Sequence, residues 1–549
     1  MMDWQKLTLR QKIGQTMLML PDRALELKLG EGSLASLFER YPVTGFFMGW
    51  KLYDGVADGN KVAHIRAEVE TYQKASGLPL LFQEDYESGV NLPGMTPFPR
   101  EMSLGAANSP ELAYAYGQSL AMEARSVGVR WVLHPVADLN LNPLNPATNV
   151  RSISDDPDKA IRLLSCQIAG LQENGVAATI KHFPGDGVDC RDQHLTTTCN
   201  SLTLEQWHRR HGRVFQELIR GGVAAIMPGH ITLPAYQKER LNGFPPPATL
   251  SKELLTGLLK GEMGFKGVIV SDAMTMGGFR GWYANRMEGE IQSFLAGVDV
   301  MLWPSYEYLD EVEQRIRQGR IPMERLDDAV SRVWAMKQRL GLVQERGSLV
   351  RPLSATEKDT GRNTARAIAE KSLTLVRDRK QALPIRAGRD RKILLVGVVP
   401  ESRKGGDGGF PCLERVRQGL VQRGFEVTLQ RNLLYETQGW ESDADQVYDR
   451  IVALVIKTPH NPFGPMQLWD DEAQTVWGLN AMNKEKIVAV SLGSPYLHTE
   501  YFERVDTCIN AYSDDVSTLD ALVQALTGEI PFAGQSPVSL DRVGFTPTL

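Results

Sequence analysis

Cysteine is scarce in this chain. Cys166, Cys190, Cys199, Cys412 and Cys508 make an odd set of five in 549 residues. So thin a set excludes a disulfide framework and points to a reducing compartment. Positive charge is not in excess either: 61 Lys and Arg stand against 66 Asp and Glu, a net −5. That balance offers no electrostatic footprint for nucleic acid. No apolar run approaches the roughly 18 residues of a membrane helix. The start, Met1-Met2-Asp3-Trp4-Gln5, has no basic stretch ahead of an apolar one, and Met17-Leu18-Met19-Leu20 is too short for a signal core. A cytoplasmic protein with no membrane and no nucleic-acid partner is expected. Zinc spacings are missing too: there is no Cys-x-x-Cys and no His-Glu-x-x-His. His182, Asp186, Cys190, Asp192, His194 and Cys199 are therefore not read as a metal site, and no metal or cofactor is expected. Gly405-Gly406-Asp407-Gly408-Gly409 lacks the Lys-Ser/Thr ending of a phosphate-binding loop and reads as a plain loop, placed to hang over a barrel mouth.

What is present is a globular composition, 42% hydrophobic and 23% charged, on a chain too long for one ordinary domain. Short apolar, β-prone runs recur at 16–20, 43–47, 78–82, 129–133, 176–180, 223–227, 267–270 and 298–302. Amphipathic stretches at 111–126, 158–174, 204–220 and 251–263 lie between them, and 331–340 reads as a last helix. Eight strands alternating with helices predict an α/β fold, a (β/α)8 TIM-type barrel, with an open doubly wound sheet as the alternative. Periodicity is lost over 343–358, which reads as a linker between a barrel domain at 1–342 and a second domain at 359–549. The second domain is expected to open with a helix at 359–376 and to continue with strands at 392–397, 425–429, 451–455, 487–491 and 507–511. It reads as a smaller α/β sandwich with a mainly parallel sheet. Nothing in the pattern specifies an oligomeric state.

The densest chemistry follows the 176–180 run. Lys181-His182-Phe183-Pro184-Gly185-Asp186-Gly187 and Asp192-Gln193-His194, with Asp189 between them, put a cation, two imidazoles and three carboxylates into fourteen residues. Pro184, Gly185 and Gly187 stop the strand and open a loop. Strand C-termini are where a β/α barrel keeps its chemistry. Lys181 and His182 can donate to ligand hydroxyls, or form a structural pair with Asp138 or Asp85. Asp192, two residues from His194, can fix that ring's tautomer and make it a general acid and base; the bland alternative is a solvated loop. Asp272, after the 267–270 run, can act as a nucleophile, or Ser271 and Asp272 can merely cap a helix. Asp85, within Gln83-Glu84-Asp85-Tyr86-Glu87-Ser88-Gly89, can accept from vicinal hydroxyls of a sugar. Arg151 adds a cation, otherwise a surface ion pair.

These residues resemble glycoside hydrolase family 3, and more closely its bacterial two-domain β-N-acetylglucosaminidase branch. The likeness is carried by Lys181–Gly187 as Lys-His-Phe-Pro-Gly-x-Gly, then Asp192-Gln193-His194 with Gln where Ser or Thr is usual. Ser271-Asp272-Ala273-Met274, Asp85-Tyr86-Glu87-Ser88-Gly89 and Phe98-Pro99-Arg100-Glu101-Met102-Ser103-Leu104-Gly105 extend it, with Ser88 in place of a glycine. So do Arg151-Ser152-Ile153-Ser154 and Ser536-Pro537-Val538-Ser539. The resemblance implies a retaining exo-enzyme acting on a small glycoside with terminal β-linked N-acetylglucosamine, in cell-wall fragment recycling. It implies Asp272 as nucleophile, His194 as acid/base with Asp192 as its dyad partner, and Asp85, Arg151, Lys181 and His182 holding the sugar. A phosphorylase of the same sugar, a β-glucosidase and a non-catalytic sugar-binding protein are the alternatives.

Overall fold

The computed structural model describes residues 3–49, 52–344, 348–399, 410–433, 444–459 and 464–540. The Gly405–Gly409 glycine loop therefore lies outside the described residues. The chain divides into two compact units. The first comprises 1–96, 113–139 and 164–361; the second comprises 97–112, 140–163 and 362–549. Two segments from inside the first 342 residues are thus counted with the second unit, so a single cut near 342 does not describe this partition.

The first unit is built on eight short parallel strands: β1 Met17–Met19, β2 Gly45–Phe47, β3 Leu81–Glu84, β4 Trp131–Val132, β5 Ala177–Phe183, β6 Ala225–Pro228, β7 Val268–Ile269 and β8 Met301–Leu302. They pair in the order β8-β1-β2-β3-β4-β5-β6-β7. A bridge between Val270 and Val300 joins β7 back to β8 and closes the ring. Seven of the strands are buried along their whole length, and β3 up to Glu84. Burial on both faces is why they read as apolar runs rather than as alternation. On the outer side Phe46 of β2 packs on Tyr72 of the helix Asp58–Ala75, ring centres 4.5 Å apart.

The amphipathic stretches form helices at Pro110–Ser126, Pro157–Glu173, Glu253–Glu262 (wound as a π-helix) and Met323–Arg339. The stretch read as one helix over 204–220 is two, Leu204–Arg209 and His211–Arg220, broken at Arg210. The break has a structural use. Trp207 donates from Nε1 to the Pro184 carbonyl at 2.7 Å, and the His211 ring meets the Asp186 carbonyl at 2.9 Å. Both hold the loop that leaves β5. A Cβ at Gly185, whose φ is +117°, would sit 2.2 Å from the His211 ring, so only glycine fits there.

The second unit carries a six-stranded sheet: β9 Thr374–Asp378, β10 Lys392–Val398, β11 Glu426–Arg431, β12 Arg450–Val455, β13 Ile487–Ser491 and β14 Thr507–Asn510, in the order β9-β14-β13-β12-β10-β11. Residues alternate between two cores. Ile393, Leu395, Val452, Leu454, Val488 and Val490 face one, with the helices Phe410–Val421 and Val516–Thr527. Leu394, Val396, Ile451, Ala453 and Ile487 face the other, with the helix Asp470–Ala481. At about 1.5–3 kcal/mol per fully buried aliphatic side chain, the two faces make the sandwich. One expectation is corrected. The helix placed at 359–376 spans Ala355–Ser372, and Thr374–Asp378 is an antiparallel edge strand on β14. The helix begins early because Ser354 and Glu357 cap it reciprocally: Ser354 N donates to Oε2 of Glu357 at 2.9 Å, and Glu357 N to Oγ of Ser354 at 3.2 Å. That box moves Ala355–Lys358 out of the linker.

Candidate active site

Strand β5 delivers Lys181 and His182 to the C-terminal rim of the barrel. Both side chains are buried, Lys181 at 2% and His182 at 5% exposure. The Lys181 ammonium lies 2.8 Å from a carboxylate oxygen of Asp85 and 2.8 Å from one of Glu87, both on the turn that follows β3. His182 is held differently. Its backbone N–H donates to Oδ1 of Asp138 at 2.9 Å and its Nδ1 to Oδ2 at 2.7 Å. The same Oδ1 takes the N–H of Asp186 at 2.7 Å, so one fully buried carboxylate ties strand end and loop together. Of the two structural partners considered for Lys181, Asp85 is used; Asp138 serves His182.

The loop beyond Pro184 carries Asp192 and His194. Oδ1 of Asp192 accepts from the His194 backbone N at 2.9 Å and faces its Nδ1 at 2.6 Å. A carboxylate only accepts, so Nδ1 carries the proton and Nε2 is the ring's second site for proton transfer. The Asp192 side chain is wholly buried while that of His194 is 29% exposed. A solvated Asp-x-His loop would expose both.

Asp272 follows β7. Ser271 points elsewhere: its Oγ accepts from Leu302 N at 2.9 Å. The next helix, Gly277–Arg280, starts after Met276, so neither Ser271 nor Asp272 is a helix cap. One oxygen of Asp272 accepts from Ala273 N at 2.7 Å, and the other lies 4.0 Å from Nε2 of His182. Burial pushes the Asp272 pKa up. The His182, His230 and His194 imidazoles and the Ala273 N–H overcome that push and hold it below the usual carboxylate value. An ionised, poorly hydrated carboxylate results. At His182 burial favours the neutral ring, but Asp138 and Asp272 win and raise its pKa; Asp138, charged against that ring despite its burial, is held low.

Six of the seven predicted residues, Asp85, Lys181, His182, Asp192, His194 and Asp272, belong to the first unit. Within it Lys181 meets Asp85, His182 comes within 4.0 Å of Asp272, and Asp192 holds His194. Arg151 belongs to the second unit, at the end of the short 3-10 turn Asn149–Arg151, where its guanidinium donates to the Ala147 carbonyl. Sequence reading weighed Asp138 only as a structural partner and Glu87 only as part of the turn after β3, and it missed His230 as a member of this cluster. His230 lies two residues beyond β6, so the strand-end rule that picked out Lys181 could have found it. Among the described residues no three His, Cys, Asp or Glu side chains gather as a metal-binding group, and no helix is long and apolar enough to cross a membrane.

Known proteins resemble this chain in sequence and fold. The family model described as the glycosyl hydrolase family 3 N terminal domain matches residues 8–336. A β-N-acetylglucosaminidase/β-glucosidase of Cellulomonas fimi is 32% identical over 498 residues, 87% of this chain and 86% of its own. Among solved structures, the β-glucoside phosphorylase BglX superposes with a TM-score of 0.85 at 28% identity, covering 98% of this chain and 95% of that one. A glycoside hydrolase family 3 β-N-acetylglucosaminidase from Paenibacillus sp. str. FPU-7 superposes with a TM-score of 0.81 at 28% identity, covering 97% and 99%. A strand-end Lys-His pair, a buried Asp beneath a loop histidine and an ionised Asp after β7 thus occur in a chain that belongs to glycoside hydrolase family 3.

Proposed function

We propose that the protein is a retaining, exo-acting β-N-acetylglucosaminidase that uses Asp272 as nucleophile and His194, paired with Asp192, as acid and base. The observation that supports this most is the contrast in one cluster. Asp272 is held ionised, while His194 keeps an open face and is fixed through Nδ1 by a buried carboxylate. In the first step Asp272 attacks C1 as protonated His194 gives its proton to the glycosidic oxygen, and the aglycone leaves as an alcohol. In the second, neutral His194 takes a proton from water, the oxygen attacks C1, and the carboxylate departs with the β-configuration retained. Asp85, Lys181 and His182 hold the sugar through its hydroxyls, and cytoplasmic recycling of cell-wall fragments is the setting. Turnover of p-nitrophenyl N-acetyl-β-glucosaminide well above that of the plain β-glucoside supports the reading. The reverse preference makes the protein a β-glucosidase, and no turnover of either leaves only sugar binding.

The likeness to a β-glucoside phosphorylase favours a second reading. After the first step His194 is neutral, so it does not repel an anionic acceptor as a carboxylate would. Phosphate can then attack C1 in place of water. Sugar 1-phosphate formed in phosphate buffer identifies phosphorolysis; free sugar alone identifies hydrolysis.

A further inference from the structure

His230 and Gln193 join the segments that carry the two reacting side chains and belong to neither proposed role. Both are buried, at 0% and 1% exposure. The His230 backbone N donates to Oε1 of Gln193 at 2.8 Å. Its ring spans two other segments. Nε2 lies 3.1 Å from the Ala273 carbonyl, and Nδ1 lies 2.9 Å from Oγ1 of Thr249. A carbonyl cannot donate, so Nε2 carries the proton and Nδ1 accepts from the threonine. Gln193 grips the nucleophile segment as well: its carbonyl accepts from Gly278 N at 3.1 Å, and the neighbouring His194 carbonyl accepts from Gly277 N at 2.8 Å. A Cβ on Gly278 would lie 2.6 Å from the Gln193 carbonyl oxygen and 2.8 Å from Cβ of His230. The close approach needs the missing side chain.

We propose that His230 and Gln193 form a clasp that sets the position of Asp272 relative to His194, with His230 the positioning residue on the Asp272 side. The inference rests on the roles given above to Asp272 and His194. The clasp acts through the backbone of residue 273, whose N–H bonds the nucleophile and whose carbonyl bonds His230. It explains glutamine at position 193: the amide reaches both the His230 N–H and, at 3.5 Å, the Asp186 carboxylate.

The test measures kcat and KM of His230→Leu, His230→Gln, Gln193→Met and the double variant His230→Leu/Gln193→Met, with melting curves for each. His230→Leu should lose on the order of 10²-fold in kcat, the size expected for a misplacement of about 1 Å, with KM near wild type. His230→Gln, whose amide can still donate to the Ala273 carbonyl, should recover most of that loss. The double variant should lose less than the product of the single losses, because both act on one geometry. A folded His230→Leu with wild-type kcat, a glutamine variant as poor as leucine, a loss wholly in KM, or a strictly multiplicative double variant would each overturn the clasp. If His230→Leu does not fold, Gln193→Met carries the test by the same kcat criterion. Asp272→Asn separates the two levels. Activity retained there removes the reading of the site itself; an inactive Asp272→Asn beside an unimpaired His230→Leu removes only the clasp.

Discussion

Two buried lysines mark opposite ends of the same barrel, and they are solvated in opposite ways. Lys181, at the C-terminal rim, sits between the carboxylates of Asp85 and Glu87. Lys337, from the helix Met323–Arg339, is fully buried beneath the N-terminal ends of β1, β2 and β3. Its ammonium donates to Oε1 of Gln15 at 2.6 Å, the Pro79 carbonyl at 2.7 Å and the Thr44 carbonyl at 3.3 Å, all neutral oxygens. Burial pushes its pKa well down. One end of the barrel closes on neutral acceptors matched to three N–H groups. The other concentrates opposite charges whose partners are partly open to solvent, as at Asp85, whose side chain is 51% exposed. A closed, satisfied lysine belongs to stability; a cation sharing solvent-facing carboxylates is available to a ligand.

The contrast is most exposed to refutation at Asp272. Asp272→Asn should lower kcat on the order of 10⁴-fold or more while leaving the melting temperature within a few degrees. Near-normal turnover would remove the carboxylate from the chemistry. For His194→Ala the loss should depend on the leaving group. Glycosides of poor leaving groups should slow roughly 10²- to 10⁴-fold in kcat/KM, and p-nitrophenyl glycosides far less, because an activated phenolate needs little protonation. Equal losses for both would contradict the acid role. The lysines come next. Lys181→Met should cost roughly 10²–10³-fold in kcat/KM with little change in melting. Lys337→Met should leave kcat/KM unchanged while destabilising by roughly 2–4 kcal/mol, since three carbonyl-type oxygens lose their donor. If the lysine at the closed end governs turnover and the one at the rim governs melting, the comparison is reversed.

The barrel was legible because its strands are buried on both faces and separated by helices of ordinary length. The edge strand Thr374–Asp378 was not. Only Thr374 is buried in it, so no apolar run marks it, and the preceding helix pattern ran into it. The catalytic candidates were legible as strand-end residues and as the pair Asp192 and His194. Which partner each of them takes was not. Asp85 and Lys181 are 96 residues apart, and Asp138 lies 44 residues before His182. No local pattern links such positions; only ring closure brings them together. Gln193 stood inside the motif but carries no titratable group, and its amide acquires meaning only when Gly277 and Gly278 pack on the loop.

The subtlest expected effect is on pH dependence, and it separates His182 from His194. Asp272 is held ionised below the usual carboxylate range by neighbours that include His182, whose raised pKa favours a charged ring. Replacing His182 with glutamine removes that charge, so the Asp272 pKa rises and the acidic limb of the kcat/KM profile moves to higher pH. The stability of the His182–Asp138 pair has its own signs. The His182 contribution is full below the ordinary imidazole value of about 6.5 and is lost as pH rises through the raised folded value. The Asp138 contribution is present above the ordinary carboxylate value of about 3.9 and is lost as pH falls through the lowered one. Wild type should therefore exceed His182→Gln in melting temperature most clearly between those limits, with the margin narrowing on both sides. A margin that is constant across pH would mean that the ring is held as a neutral donor. Asp272 would then owe its ionisation to His194, His230 and the Ala273 N–H.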